Sequence, residues 1–103
     1  MDNQKLLSLL GLCRKANLVS FGHDAAKAAL RNKKARLCLV CEDASPRLKE
    51  EFRFLAQDTN TPIHEISLTS FEIKAATQYK AAVLTVNNSG FAEKILATLT
   101  PNP

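Results

Sequence analysis

The chain has 103 residues, a net charge of +4 and a 46% hydrophobic share with only three glycines. That length allows one domain, residues 1–103, with a real core, and that composition excludes disordered and low-complexity classes. No apolar run approaches the ~20 residues of a membrane span, and the Met1–Lys5 start lacks a signal-peptide pattern, so a cytoplasmic protein away from membranes is expected.

Leu6, Leu9, Leu10 and Cys13 recur at helical spacing and predict a first helix over Asn3–Lys15. Leu18–Ser20 reads as a short extended segment. A second helix is expected from about Gly22 to Asn32, closed by Asn32 in the left-handed conformation. On this helix His23, Lys27, Arg31 and Lys34 share one face, with Asp24 beside them at the first turn. Ala25, Ala28 and Ala29 are expected to lie flat on a sheet. Arg36–Cys41 is a continuous apolar strand, of the kind covered on both faces. Ser45 as N-cap and Pro46 as first helical residue start a third helix, with Leu48, Phe52 and Leu55 inward and Lys49, Glu50 and Arg53 outward.

Ile63–Ile66 alternates apolar and polar like a strand near a sheet edge. Thr69 with Glu72 forms a capping box before a short helix reaching about Gln78. Ala81–Val86 is a further strand, and Asn87–Gly90 turns into a last helix carrying Phe91, Ala92, Ile95, Leu96 and Leu99 on its core stripe. Residues 100–103 form a polar tail. Strands alternating with helices imply an α/β sandwich with helices on both faces of a central sheet.

The charge is unevenly placed. Between Arg14 and Arg36 stand seven cations against one acid, whereas the rest of the chain has seven cations and nine acids. Basicity confined to one segment points to a polyanionic partner. Backbone N–H groups at the start of the second helix add partial positive charge, and His23 with Asp24 offers a donor and an acceptor there. His23 and His64 have no neighbouring nucleophile, and no Gly-rich phosphate loop occurs, so no enzyme is expected.

Three cysteines in a chain without an export signal are expected to be reduced. Cys38 and Cys41 have C-x-x-C spacing, but residues three apart on a strand point to opposite faces, so core thiols rather than a metal or redox pair are expected. No metal or cofactor is called for. Tyr79 reads as exposed, with no aromatic platform evident. Glu42-Asp43 follows a strand at its carboxyl end, where ligands gather in open α/β sheets.

Four segments in order resemble the kink-turn-binding ribosomal protein superfamily, which includes the archaeal large-subunit protein seven-A-e, the eukaryal protein thirty-e and small bacterial paralogues. They are Leu10-Gly11-Leu12-Cys13-Arg14-Lys15-Ala16-Asn17-Leu18-Val19-Ser20; His23, Asp24 and Lys27; Cys41-Glu42-Asp43-Ala44-Ser45-Pro46; and Val86-Asn87-Asn88-Ser89-Gly90-Phe91-Ala92-Glu93-Lys94-Ile95. The similarity runs from about Leu6 to Leu99 and is greatest to the bacterial paralogues.

The resemblance implies a three-layer α/β/α sandwich with a central mixed sheet of about four strands. It implies a ribosome-associated protein that binds kinked RNA, such as ribosomal RNA or a riboswitch element, as a monomer and without DNA as partner. The second helix, from Gly22, would enter the groove at sheared G·A pairs. His23 and Asp24 would read guanines, and Lys27 would orient Asp24 or contact phosphate. Asp43 would contact a base at the bulge, and Val86, Asn87 and Asn88 would close over a flipped-out nucleotide. Arg14, Lys15, Arg31 and Lys34 would add backbone charge. The classical members have Asn-Glu where this chain has His23-Asp24, and Lys74 and Thr77 replace glycines common in relatives. The alternative is a protein-interaction module on the same fold without kink-turn specificity.

Overall fold

The computed structural model describes residues 3–99. In chain order it has α1 (Asn3–Lys15), β1 (Val19–Phe21), α2 (His23–Arg31), β2 (Leu37–Cys41), α3 (Pro46–Asp58), β3 (Ile63–Ile66), α4 (Ser70–Thr77), β4 (Val83–Val86) and α5 (Ser89–Leu99). The expected tail at 100–103 lies outside the described residues.

The four strands make one mixed sheet in the order β1-β4-β2-β3. β4 runs antiparallel to both β1 and β2, whereas β3 is parallel to β2. β2 is buried at every position, as a strand covered on both faces should be. Its side chains alternate between two cores. Leu37, Leu39 and Cys41 pack with α1, α4 and α5; Cys38 and Val40 pack with α2 and α3. The three-layer α/β/α sandwich with a mixed sheet is therefore the fold.

Local chemistry explains most boundaries. The Ser45 hydroxyl accepts from the Leu48 N–H with Pro46 in the first turn, and Thr69 and Glu72 close a reciprocal capping box. Asn88 Oδ1 accepts from the Phe91 N–H at 2.9 Å and so starts α5.

Three details differ from the sequence reading. The buried stripe of α2 is Ala26, Ala29 and Leu30, and Ala25 and Ala28 are exposed. A stripe at i, i+3, i+4 leaves Ala25 and Ala28 off the sheet-facing side. The left-handed residue closing α2 is Lys33 (φ 59°), while Asn32 has φ −84°. The Lys34 N–H reaches the Ala29 carbonyl and the Lys33 N–H that of Leu30, which is a Schellman closure one residue later than expected. Lys49 of α3 is only partly exposed, because its ammonium reaches Glu65 on β3 at 2.8 Å.

Gly22 joins β1 to α2 with φ 92° and ψ 171°. That region is essentially reserved for glycine. A Cβ there would meet nothing within 4 Å, so the demand is torsional and not steric. Gly22→Ala is expected to destabilise the fold by about 1–3 kcal/mol in urea unfolding. Gly11→Ala, in the middle of α1 with 3.5 Å of ordinary clearance, should be neutral or stabilise by about 0.5–1 kcal/mol.

Candidate nucleic-acid interface

The first turn of α2 differs from those of α3, α4 and α5. Each of those helices has a side-chain oxygen on a first-turn N–H, whereas α2 has Gly22 at its N-cap and no side-chain cap. The N–H groups of His23, Asp24 and Ala25 thus point off the helix end with the positive end of its dipole. The Gly22 N–H donates to the Val83 carbonyl at 2.9 Å, which pins this helix start to the start of β4.

His23 stands at the centre of the site. Its Nδ1 lies 3.1 Å from Asp24 Oδ1, and its Nε2 lies 2.9 and 3.0 Å from the two oxygens of Glu51 on α3. Ionised carboxylates only accept, so both ring nitrogens are satisfied together only as an imidazolium. The hydrogen bond to Asp24, then that to Glu51, raises the His23 pKa above its usual range. The same bond to His23 leads the causes that lower that of Glu51. The ring also meets Phe52 edge-on, with centroids 5.5 Å apart. The Asp24 side chain is fully exposed. Lys27 sits 3.7 Å from Glu51 and not on Asp24, contrary to the expected orienting role.

The remaining expected residues divide between two ends of the sheet. Asp43 lies at the carboxyl end of β2, and its oxygens accept from the Ser70 N–H at 3.0 and 3.1 Å and from the Ser70 hydroxyl at 2.7 Å. Burial pushes its pKa up, but the two Ser70 bonds outweigh that and the net shift is downward. Asp43 therefore anchors the start of α4, and a base would have to share its carboxylate with Ser70.

Val86, Asn87 and Asn88 lie at the opposite end of the β1–β4 pair from His23, where the Asn87 N–H donates to the Leu18 carbonyl. Val86 is wholly buried. The Asn87 amide bridges Thr85 and Ser20 at 2.9 Å each, and Asn88 caps α5. These three residues do not close over anything at the His23 end. The segment that meets that end is the loop between α4 and β4, residues 78–82, because Val83 pairs beside Gly22. Arg31 and Lys34 are exposed at the far end of α2, and Lys15 is exposed at the end of α1.

The cysteines are all buried. Burial pushes the Cys13 thiol up to about 11 and those of Cys38 and Cys41 up to about 12. Cys38 and Cys41 belong to different core clusters, as their strand spacing requires. No helix among the described residues is long and apolar enough to cross a membrane.

Residues 4–95 match the model of the Ribosomal protein L7Ae/L30e/S12e/Gadd45 family. The chain belongs to that family. It is 26% identical over 99 residues to the RNA-binding protein YlxQ of Bacillus subtilis (strain 168), covering 96% of this chain and 99% of that protein. It is 28% identical to the YlxQ protein of Enterococcus faecium over 90% of this chain and 89% of that one. Its fold is shared with a Bacillus halodurans protein of unknown function at a TM-score of 0.84 and 24% identity, over 90% of this chain and 94% of that one. It is also shared with the Giardia lamblia 15.5kD RNA binding protein at a TM-score of 0.76 and 17% identity, over 94% of this chain and 82% of that one.

On this L7Ae/L30e-family chain, the sequence pattern pointed to neither Glu51 nor Lys80, and to Tyr79 only as an exposed residue. Glu51 reaches His23 across 28 positions of sequence, for which no local pattern exists. Tyr79 stacks on Phe21, and the Lys80 ammonium stands 4.2 Å from the centre of the Phe71 ring. The exposure of Tyr79 and its closeness to the start of β4 were the available signals.

The His23–Glu51 pair has a defined pH window. The contribution of His23, its pKa raised from 6.5, is complete below 6.5 and is lost as pH rises through the raised value. That of Glu51, lowered from 4.5, is present above 4.5 and is lost as pH falls through the lowered value. Glu51→Gln should therefore lower the thermal midpoint most between these two pH values, with the difference shrinking in more alkaline buffer. A thermal scan series across pH checks this.

Proposed function

We propose that the protein is a non-catalytic, cytoplasmic RNA-binding protein that recognises kink-turn-like structured RNA through the first turn of α2. Ribosomal RNA and riboswitch elements are the candidate targets, bound by a monomer without a cofactor. The observation that carries this reading is the uncapped helix start, which presents N–H groups, the His23 ring and the exposed Asp24 carboxylate together. Guanine offers acceptors at O6 and N7 and a donor at its N2 amino group. An imidazolium suits the former and the Asp24 carboxylate the latter. Helix N–H groups and nearby Lys27 suit a phosphate. Two relatives of similar length are named as RNA-binding proteins, which favours RNA as the polyanion.

One observation favours a protein-docking role instead. Leu12, Phe54 and Phe71 are 55%, 67% and 64% exposed on three different helices. Scattered exposed apolar residues are ordinary on a folded surface, so this is the weaker reading.

The test is titration of a labelled kink-turn RNA at about 0.1 M salt, beside the same RNA with its G·A pairs changed to Watson–Crick pairs. Preference for the intact motif is expected, with a steep loss of affinity as salt is raised. Asp24→Ala should remove about 1–3 kcal/mol of that preference. Lys27→Glu combined with Arg31→Glu should weaken both RNAs and flatten the salt dependence. Equal binding to both RNAs would refute motif recognition, and no binding to either would leave the docking role.

A further inference from the structure

Between Arg14 and Arg36 the chain carries seven cations and one acid, yet α3 brings a second carboxylate against the middle of that segment. Among the described residues, Glu51 is the only acid outside α2 that pairs with it. The two Glu51 oxygens lie 2.9 and 3.0 Å from His23 Nε2, and one of them lies 3.7 Å from the Lys27 ammonium. Packing keeps the carboxylate there. Phe52, the next residue of α3, is wholly buried in one core with Ala26, Ala29 and Leu30 of α2. The backbone that carries Glu51 is therefore fixed against α2.

His23 and Lys27 are also the two cationic side chains that suit an RNA acceptor at this helix start. Glu51 offers them what a phosphate offers, a pair of anionic oxygens. With His23 as an imidazolium, two cations meet two carboxylates, those of Asp24 and Glu51. The cluster then has no net charge, although the segment around it is rich in cations.

We propose that Glu51 is a specificity-determining residue of the RNA interface, which occupies His23 and Lys27 in the free protein and discriminates against phosphate that arrives without a base edge. The proposal rests on the RNA-binding reading above and adds the group that opposes the wrong ligand. Specificity is a difference of affinities, and repulsion of the competitor serves it as well as attraction of the target. A phosphate at His23 meets the Glu51 carboxylate as a like charge, and in displacing it leaves a half-buried carboxylate without its partner. A guanine edge is neutral. Its O6 or N7 can accept from His23 while Glu51 keeps Lys27, and a guanine amino group can donate to Asp24. Nonspecific affinity comes almost entirely from phosphates, so a carboxylate that opposes phosphate alone raises the ratio of motif to nonmotif binding. A plain ion pair tying α2 to α3 has a different signature. Its removal lowers stability and leaves that ratio unchanged.

The probes are a hexameric ribose-phosphate chain without bases, and the kink-turn RNA beside its Watson–Crick-paired form. They are titrated at about pH 5.5, below the ordinary value for His23 and above that for Glu51, in about 0.1 M salt. Backbone amide NMR shifts of His23, Asp24 and Ala25 report on the first turn. Glu51→Gln keeps the size of the side chain and removes its charge. Glu50→Gln makes the same charge change about 100° around α3, at an exposed position. Glu51→Gln is expected to bind the abasic chain at the first turn at least about threefold more tightly than wild type, the scale of one surface charge pair. Its preference for the intact kink-turn should fall by a similar factor, and Glu50→Gln should show neither change.

Equal gains in the two variants, or no gain in Glu51→Gln, overturn the proposal. If Glu51→Gln does not fold, the ring-nitrogen shifts of His23 in the wild-type protein decide. They are expected to stay in place with the abasic chain, and their displacement by it overturns the proposal. The two readings fail separately. A gain in abasic-chain binding by Glu51→Gln, with no kink-turn preference in wild type, sinks only the motif reading. A kink-turn preference that Glu51→Gln shares undiminished with wild type sinks only the role of Glu51.

Discussion

Everything at the candidate interface depends on one backbone turn. At Gly22 the chain leaves β1 with φ 92° and enters α2, while its N–H remains on the Val83 carbonyl. β1 is only three residues long, so this turn and its ladder with β4 set where α2 begins. Because the turn residue has no side chain, the helix start is left without a cap, and its dipole and N–H groups face outward. A serine or aspartate at that position would satisfy those groups internally and could not adopt the torsions without strain. The same turn puts Phe21 on one side of the helix start and His23 on the other.

The acids near this basic segment have separate explanations. Asp43 is used in the fold, holding the first turn of α4 through Ser70. Glu51 holds His23 and Lys27. Asp24 is fully exposed and engages only His23, through one oxygen. Under the proposed RNA reading, contact between His23 and a base acceptor would exchange one hydrogen bond for another, so its net gain would be the difference between two partners and not the full value of a new bond.

Charge is also distributed along α2. His23 and Asp24 sit at its first turn, while Arg31, Lys33, Lys34 and Arg36 gather at and beyond its last. Nine residues at 1.5 Å each separate the two by about 13 Å. The cations there complement the negative end of the helix dipole as well as any phosphate. The loop of residues 78–82 contributes Tyr79 and Lys80 at the first-turn end. The segment Val86–Asn88, despite its sequence likeness to relatives, is committed to the core and to capping at the other end.

Periodicity and capping chemistry were sufficient for the elements and their order. The i, i+3, i+4 leucines of α1, the Ser45-Pro46 start of α3, the Thr69–Glu72 box and the unbroken apolar run of β2 are each local signals, complete within a few residues. They also determined that Cys38 and Cys41 face apart. The start of α2 as a place of interest, with His23 and Asp24 exposed in a basic segment, was legible for the same reason. What surrounds it was not. That Glu51 flanks His23, what Asp43 holds, which loop meets Gly22, and that Tyr79 lies on Phe21 are all pairings between segments 27 to 61 positions apart. A pattern of apolar and polar residues states which face of an element is buried, but not what it is buried against. Strand order and register decide that, and only the assembled sheet supplies them.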